Sequence, residues 1–320
     1  MSGTMQRPTK RSHYTPVSYL ENFVGSDGAL HVVLLKDGRR FEASPEAVGF
    51  ENNFYRPDEL DDPNVFEGKF RQFEGEASPV VKRVISDSVM PTADDDLNIL
   101  YNFIAFQWAR LPSTRRLITA PLKHEARIRL DICRTMSEAR FREECARVRV
   151  NPDQFDFQQV HIFGVDEFDF KITTETFLQL ATVMLNAMLP SIAKRRWTVI
   201  QSPKPGWGFA VSDHPVTLNW ADGREVTHRN IPGHHHIGTE LTIPLGSTVA
   251  LVGTFEPFEY QEDAVPRYVS GINSRTYSKA TRFLAASEDE FLLQHEGRIL
   301  RSAELVEMLK AKQLEPKQKS

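Results

Sequence analysis

Three polar residues, far apart in the chain, are of types that could perform hydrolytic chemistry. His13 directly precedes an aromatic segment, Asp213 follows an apolar strand pattern, and Asn273 lies in a late helical segment. A histidine can act as a general base, and a carboxylate can hold a hard metal ion. We therefore predict His13, Asp213 and Asn273 as catalytic residues, with Asp213 as the ligand of a divalent metal and one glutamate assisting.

Three further polar residues suit the binding of an anionic substrate. Gln107 and Arg110 stand near the end of one predicted helix, and Arg282 follows another. The guanidinium fork matches the geometry of phosphate and carboxylate groups. We predict Gln107, Arg110 and Arg282 as substrate-binding residues. The alternative for Arg282 is a structural pair with Asp213 or a glutamate, and Gln107 and Arg110 could likewise form buried pairs.

The segment after His13 must hold this histidine in place if it is to do chemistry. Pro16 presets a backbone angle that suits the first turn of a helix. Tyr19, Leu20 and Phe23 then recur at helical spacing and share one face. We expect that face to dock on a core, which would fix His13 just upstream of it.

Asp213 has a structural alternative, because it lies in the turn Ser212-Asp213-His214-Pro215. Pro215 pushes His214 toward extended geometry and could aim the carboxylate of Asp213 at a metal, a base or a partner amide. An aspartate in a turn can equally bond to nearby backbone amides. The residues themselves leave both interpretations open.

Two other groups resemble metal sites at first sight. His234, His235 and His236 are consecutive in a glycine-flanked stretch, where only His234 and His236 would share a side in an extended chain. A flexible loop with incidental histidines is the favoured interpretation. Asp94, Asp95 and Asp96 are interpreted as acids that cap the start of a helix.

The composition is that of an ordinary soluble globular protein, with 26% charged and 40% hydrophobic residues. The net charge of -4 argues against a generally basic nucleic-acid-binding surface. Between Arg110 and Arg149, however, ten arginines and one lysine face five acids. This local excess permits a phosphate-containing small molecule or a nucleic acid as partner, although a solvated helix face is the more ordinary interpretation.

Compartment and membrane contact follow from the cysteines and the apolar segments. The longest apolar run, Phe177 to Pro190, is too short to cross a bilayer and is interpreted as a buried helix. Cys133 and Cys145 fall in one predicted helix about 18 Å apart, a distance that no disulfide can bridge. Together with a leader that lacks a secretory apolar core, this predicts a cytoplasmic protein without membrane contact.

The predicted helices and strands alternate too irregularly along the chain for a doubly wound sheet. The Asp37-Gly38 turn joins two strands of a hairpin, and Asn151 to Asp169 forms a connection with a strand-like piece, Gln159 to Phe163. Helices are predicted over Val65 to Ser86, from Asp94 to about Leu111, over Lys123 to Arg149, Thr174 to Ile192 and Gly271 to Thr281, and from Ser302 onward. Strands are predicted over Trp197–Ile200, Phe209–Val211, Val216–Leu218, Glu240–Ile243, Val249–Val252 and Phe283–Ala286.

This arrangement predicts an α+β fold, with a helical middle region packed on a mainly antiparallel sheet formed largely by the C-terminal half. We expect residues 1–12 to be a disordered leader and residues 13–300 a single domain, with a sub-boundary near 151–170. Residues 301–320 form the last helix and a loose tail.

Three ordered blocks carry a family resemblance. They are His13-Tyr-x-Pro-x-x-Tyr-Leu-x-x-Phe23, Ser212-Asp-His-Pro-Val216, and Asn273 with Arg282. Over about His13 to Ser287 the chain resembles a widespread, mainly bacterial family, catalogued as a domain of unknown function and numbered 4238. The resemblance implies relatedness and names no reaction.

Two functions follow as hypotheses. The first is a metal-assisted hydrolase of a phosphate-containing substrate, of the phosphodiesterase or nuclease type. The second is a non-enzymatic ligand-binding or regulatory module, in which the same motifs are structural clamps. The chain lacks the P-loop, dinucleotide-binding, Gly-x-Ser-x-Gly and His-Glu-x-x-His signatures.

Overall fold

The computed structural model describes residues 10–147, 151, 153, 157–158, 169–202, 207–224, 226–257, 265–295 and 297–314. Its architecture is α+β, as the sequence predicts, with several antiparallel sheets mostly in the C-terminal half. The helices are α1 (Val17–Leu20), α2 (Val65–Asp87), α3 (Asp94–Ala109), α4 (Pro112–Arg134), α5 (Glu138–Arg147), α6 (Thr174–Ala193), α7 (Val265–Lys279) and α8 (Ser302–Leu314).

The strands form two four-stranded sheets and two short pairs. They are β1 (Arg11–His13), β2 (Leu30–Leu34), β3 (Arg40–Ala43), β4 (Phe50–Asn52), β5 (Arg196–Gln201), β6 (Val211–Ser212), β7 (Thr217–Trp220), β8 (Thr239–Pro244), β9 (Val249–Thr254), β10 (Phe283–Ala286), β11 (Leu292–His295) and β12 (Arg298–Arg301). The first sheet has the order β3-β2-β10-β6 and the second the order β5-β9-β8-β7. The pairs are β1 with β4 and β11 with β12.

The predicted hairpin is confirmed, because β2 and β3 pair antiparallel around the Asp37-Gly38 turn. Gly38 has φ +66, a conformation that glycine adopts without steric cost. The hairpin does not stand alone. β10 pairs with the other side of β2 and joins it to β6, so the first sheet combines strands from the N-terminal and the C-terminal parts of the chain.

The long helix predicted over Lys123 to Arg149 is wrong in its bounds. α4 already begins at Pro112 and ends at Arg134, and α5 begins at Glu138. Pro121 lies inside α4 on an exposed face, where the missing backbone donor costs little. The expected 18 Å separation of Cys133 and Cys145 along one helix therefore does not apply, although both thiols are free.

α6 confirms the predicted helix but is only partly buried. Phe177, Ala181, Met188 and Ile192 point into the core, whereas Val183 is 64% exposed. The expectation that its apolar run is too short to cross a bilayer does not hold for the whole helix: by length and composition α6 is apolar enough to do so, with a mean hydropathy of 1.4. Only 28% of its most apolar stretch is buried, so the expected buried helix is confirmed only in part. The strand predicted over Gln159 to Phe163 lies outside the described residues.

The main core lies between the second sheet, the first sheet and helices α1, α2, α3, α6 and α7. Tyr19, Leu20 and Phe23, the predicted docking face, are almost fully buried in it. A second cluster around Tyr14, Tyr55 and Phe177 joins the start of the chain to α4 and α6. The first block of the sequence is therefore packed on both sides.

Gly49 fixes the turn that receives this block, and its replacement should be costly. Its φ is +69, and its carbonyl accepts hydrogen bonds from the amides of Tyr14 (2.9 Å) and Thr15 (3.1 Å). A Cβ at Gly49 would lie 2.9 Å from the Cβ of Thr15. We expect Gly49→Ala to lower the free energy of unfolding by about 2 kcal/mol in urea titrations.

Gly68 provides the matched control for this prediction. It lies within α2, and nothing approaches a Cβ placed there within 4 Å. We expect Gly68→Ala to stabilise the protein by about 0.5–1 kcal/mol because alanine loses less backbone entropy in a helix. Equal effects of the two substitutions would contradict the role of Gly49.

Candidate functional site

His13 is held in place, as its setting predicts. β1 pairs with β4, the Nε2 atom of His13 lies 3.2 Å from the carbonyl oxygen of Glu46, and the ring packs 5.5 Å from that of Phe50. Partial burial lowers the pKa of His13 below its usual value. Among the described residues, none of these contacts is with Asp213 or Asn273.

Asp213 joins the end of β6 to the start of β10. Its carboxylate accepts hydrogen bonds from the amide of Thr281 (2.9 Å), the amide of Arg282 (3.0 Å) and the hydroxyl of Thr281. Both carboxylate oxygens are engaged, and the residue is 5% exposed. A cation at Asp213 would have to displace these donors. The donors belong to residues 68 and 69 positions away, so the carboxylate does not bond to the backbone of its own turn but clamps this turn to the start of β10.

Asn273 is fully buried on α7, and its side-chain amide forms hydrogen bonds with the main chain. Its Oδ1 accepts from the amide of Ala210 (2.8 Å), and its Nδ2 donates to the carbonyls of Gly208 (3.1 Å) and Leu292 (2.9 Å). These bonds connect α7 to the segment before β6 and to β11. Asn273 is therefore placed where it connects three elements.

Arg110 is also buried and is held from several sides. It forms an ion pair with Glu74, donates to the carbonyl of His13, and stacks 4.8 Å above the ring of Phe106. The hydroxyl of Tyr55 donates to the carbonyl of Arg110 at 2.5 Å. Arg110 also lines a mostly apolar cleft of about 460 Å³ between α2, α3 and α6.

Gln107 is fully buried three residues earlier on α3. Within the described part of the chain, neither atom of its amide has a hydrogen-bond partner. It does not line the cleft beside Arg110. The two residues predicted together as a substrate contact thus occupy different surroundings.

The three sequence blocks meet at Arg282. Its guanidinium lies 5.3 Å above the ring of Tyr14, donates to the Tyr14 hydroxyl at 3.4 Å, and pairs with Glu51. Its backbone amide donates to Asp213. Burial raises the pKa of Tyr14 to about 12, although Arg282 opposes this shift. The blocks converge through Tyr14, Asp213 and Arg282, whereas the hydrogen bonds of the His13 and Asn273 side chains go to other residues.

A serine and a histidine that sequence reasoning passed over also meet here. The Oγ of Ser113, at the start of α4, lies 3.1 Å from the Nδ1 of His214. The amide of His214 donates to the Oγ of Ser212 at 2.9 Å, which fixes the backbone of the histidine. Burial lowers the pKa of His214 to about 4, and of its charged neighbours Asp213 raises this pKa and Lys279 lowers it. The imidazole is therefore neutral at pH 7, and its lowered pKa makes it a weaker base than a free histidine.

A cleft of about 430 Å³ lies along α4 from Pro112 to Lys123, and we call it the basic cleft; neither Ser113 nor His214 lines it. Its lining comprises Glu51, Phe54, Pro112, Arg115, Arg116, Thr119, Lys123, Asp169, Lys171 and Ile172. Four of these side chains are cationic and two are carboxylates. Its signal in the sequence is the arginine excess after Arg110, for which a solvated helix face was the more ordinary interpretation.

The cations of the basic cleft differ in how they are held. Arg115 donates to the carbonyl of Phe54 at 2.8 Å and lies above the rings of Phe54 and Phe177. Lys171 pairs with Asp58, and Lys123 lies 3.6 Å from Asp169. Arg116 is exposed and has no hydrogen-bond or ion-pair partner among the described residues. It is the cation best placed to receive an external anion.

The consecutive histidines do not converge on one point. His234 packs 5.9 Å from the ring of Trp108, His236 stacks 5.8 Å from that of Trp220, and the Nε2 of His235 lies 3.2 Å from the carbonyl of Ala187. Their three rings have three different neighbours. This arrangement is consistent with the incidental interpretation.

A group of metal-ligating types occurs elsewhere in the described residues. Asp27, His31 and Glu42 bring their ligand atoms within 4.8 Å of one another, and His31 and Glu42 are opposite each other on β2 and β3. Asp27 accepts from the amide of Ala29 (3.1 Å) and lies 2.8 Å from the Nε2 of His31. These hydrogen bonds hold Asp27 and His31 without an ion.

Comparison with known proteins gives one match. A family model described as "Protein of unknown function (DUF4238)" matches residues 11–290. No curated protein and no solved structure matches the chain.

Proposed function

This chain belongs to the DUF4238 family, whose description names no activity, and we propose that it binds a small phosphate-containing ligand in the basic cleft. The observation that supports this most directly is the lining of that cleft. Four cationic side chains face two carboxylates around a volume of about 430 Å³. An excess of two positive charges suits a phosphate group, which arginine side chains can bind through a pair of hydrogen bonds.

Other charged side chains in the lining already have partners, and this leaves Arg116 as the residue proposed to bind the ligand. Glu51 is held by Arg282, and Arg115 is fixed by Phe54, so neither is free to rearrange around a ligand. Arg116 lies on the next turn from Pro112 and is exposed to the cleft. An anion there would meet a charge that no carboxylate among the described residues already neutralises.

The clamp hypothesis is part of this proposal. Asp213, Asn273 and Arg110 all direct their polar atoms at backbone groups, and Asp213 holds the backbone of Arg282. Arg282 in turn positions Glu51 at the edge of the basic cleft. In this proposal the sequence motifs build the walls of a binding site. Metal-assisted hydrolysis at Asp213 stays a prediction.

Substitution of Arg116 tests the proposal. We expect Arg116→Glu to weaken the binding of pyrophosphate or a sugar phosphate at least about tenfold, because it replaces the unpaired cation with an anion. A tenfold change in the dissociation constant corresponds to about 1.4 kcal/mol of binding free energy. Isothermal titration calorimetry at low ionic strength measures this. Arg127→Glu is the matched control, because Arg127 is exposed on the same helix but does not line the cleft, and its effect should stay below about twofold.

Two results would contradict a small-ligand site. Equal weakening by both substitutions would indicate diffuse attraction to a basic helix. Binding that tightens with the length of a single-stranded oligonucleotide and falls steeply with salt would indicate a nucleic-acid partner instead.

A further inference from the structure

Asp27, His31 and Glu42 form a cluster of metal-ligating side chains at the first sheet. Their ligand atoms lie within 4.8 Å of one another. The chain has 43 acidic residues and 10 histidines, yet in its described part these three are the only such group of three or more. Their convergence is therefore not a routine result of an acidic surface.

The backbone brings these side chains together. His31 lies on β2, an inner strand with β10 on one side, and is opposite Glu42 on β3 on the other. Residues opposite each other on antiparallel strands project from the same face of the sheet. Asp27 belongs to the loop before β2, which closes on itself because the amide of Gly25 donates to the carbonyl of Ala29 at 2.8 Å. The cluster thus joins this loop to two strands.

The charges of the cluster favour a cation. The carboxylates of Asp27 and Glu42 lie close enough to repel each other, and no lysine or arginine among the described residues pairs with either. Hydrogen bonds from the amide of Ala29 (3.1 Å) and from His31 lower the pKa of Asp27, so its carboxylate stays ionised. The side chain of Glu42 is exposed and forms no hydrogen bond within the described part of the chain. A divalent ion would neutralise both carboxylates.

The residue types indicate which kind of ion fits. Imidazole nitrogen suits zinc and related transition metals, whereas calcium and magnesium prefer oxygen ligands alone. Two atoms bound to a tetrahedral zinc ion, each at about 2.1 Å from it, lie about 3.4 Å apart. The Nε2 of His31 and the Oδ2 of Asp27 are 2.8 Å apart. Small side-chain rotations are therefore enough to hold zinc.

We propose that Asp27, His31 and Glu42 bind a zinc ion, with the Nε2 of His31, one oxygen of each carboxylate and a water molecule as its ligands. The ion takes the place of the hydrogen between Nε2 and Oδ2, and that proton passes to the other ring nitrogen or to solvent. The bound ion ties the loop before β2 to the hairpin of β2 and β3. None of the three residues lines the basic cleft, so this inference does not rest on the proposed function.

Glu42→Gln tests the site with little disturbance of the fold, because the side chain of Glu42 is exposed. Calorimetric titration of chelator-treated protein with zinc chloride, in buffer without phosphate, measures binding. We expect wild-type protein to bind one zinc ion per chain. Glu42→Gln should bind it at least about tenfold more weakly, since even the loss of a group that orients a ligand costs about 10–100-fold.

Thermal unfolding separates lost binding from lost structure. Without metal, Glu42→Gln and wild type should melt at the same temperature. Zinc should raise the melting temperature of wild type more than that of the variant, because an ion that binds only the folded state stabilises it.

His235→Ala is the matched control, because His235 is an exposed histidine in the other stretch that resembles a metal site. It should bind zinc as wild type does. His31→Gln removes the ring nitrogen and tests the ligand directly. Cobalt(II), a spectroscopic substitute for zinc, should gain visible absorption bands in wild type and not in His31→Gln.

Several outcomes would overturn the site. They are the absence of zinc binding in wild type, wild-type affinity in Glu42→Gln, and loss of binding in His235→Ala. Calcium bound as tightly as zinc would overturn His31 as a ligand. Failure of the protein to bind pyrophosphate would contradict the proposed function and leave the zinc site standing.

Discussion

Asn273→Asp should lower the free energy of unfolding by about 3–5 kcal/mol at neutral pH, because it places a charge in a fully buried site. The Nδ2 of Asn273 donates to the carbonyls of Gly208 and Leu292, and a carboxylate oxygen in its place would face both of these acceptors. Urea titration followed by circular dichroism measures the loss. Most of it should disappear near pH 4, where the protonated side chain can donate again.

The sign of this pH dependence follows from burial. A buried carboxyl has a pKa above its unfolded value, so the variant loses stability as the pH rises through the folded pKa. Asn98→Asp is the matched control, since Asn98 is exposed near the acidic start of α3 and should shift stability by no more than about 0.5 kcal/mol. If Asn273→Asp is as stable as wild type, that result contradicts the structural role of this amide and favours the predicted catalytic role instead.

Asp213→Asn should cost about 2–3 kcal/mol, because it replaces a charged acceptor of several hydrogen bonds with a neutral amide. One oxygen of Asp213 would become an NH₂ group facing the donors of Thr281 and Arg282. Thermal unfolding measures the effect. Asp222→Asn provides the control, because Asp222 is exposed and pairs with nearby Arg224 at the surface, and such pairs contribute little.

The same variant distinguishes a clamp from a metal ligand. If Asp213 is a clamp, calorimetric titration with Mg²⁺, Mn²⁺ or Zn²⁺ should give the same result for wild type and Asp213→Asn. Saturable binding in wild type that vanishes in a variant of unchanged stability would contradict the clamp.

The elements that could be predicted from the sequence are those whose cause is local. The Asp37-Gly38 turn specifies its hairpin because glycine tolerates the positive φ there. The first block specifies its own docking, because Tyr19, Leu20 and Phe23 must leave water together. The predicted helix over Lys123 to Arg149 joined two helices and missed the first turns of α4, because the apolar spacing alone marks neither the start at Pro112 nor the break after Arg134.

The candidate site was harder to predict because its contacts are tertiary. The sequence predicts Asp213, Asn273 and Arg282 as site residues, but only the fold determines whether their polar atoms face the backbone or a ligand. Ser113 and His214 are ordinary residue types without a recognisable motif around them as a pair. Their hydrogen bond exists because α4 begins beside the turn after β6, a juxtaposition that no spacing in the sequence encodes.

The pairing of β2 with β10 has a consequence for biosynthesis. β2 is among the first strands to leave the ribosome, whereas β10 emerges only when most of the chain has been made. Until then the hairpin of β2 and β3 has an open edge, and β6 has no partner from the first sheet. Pairings between distant segments slow folding and prolong the exposure of such edges. A nascent chain that stalls before β10 would therefore present an unpaired apolar strand, and we expect its rescue to depend on chaperones more than that of the released protein.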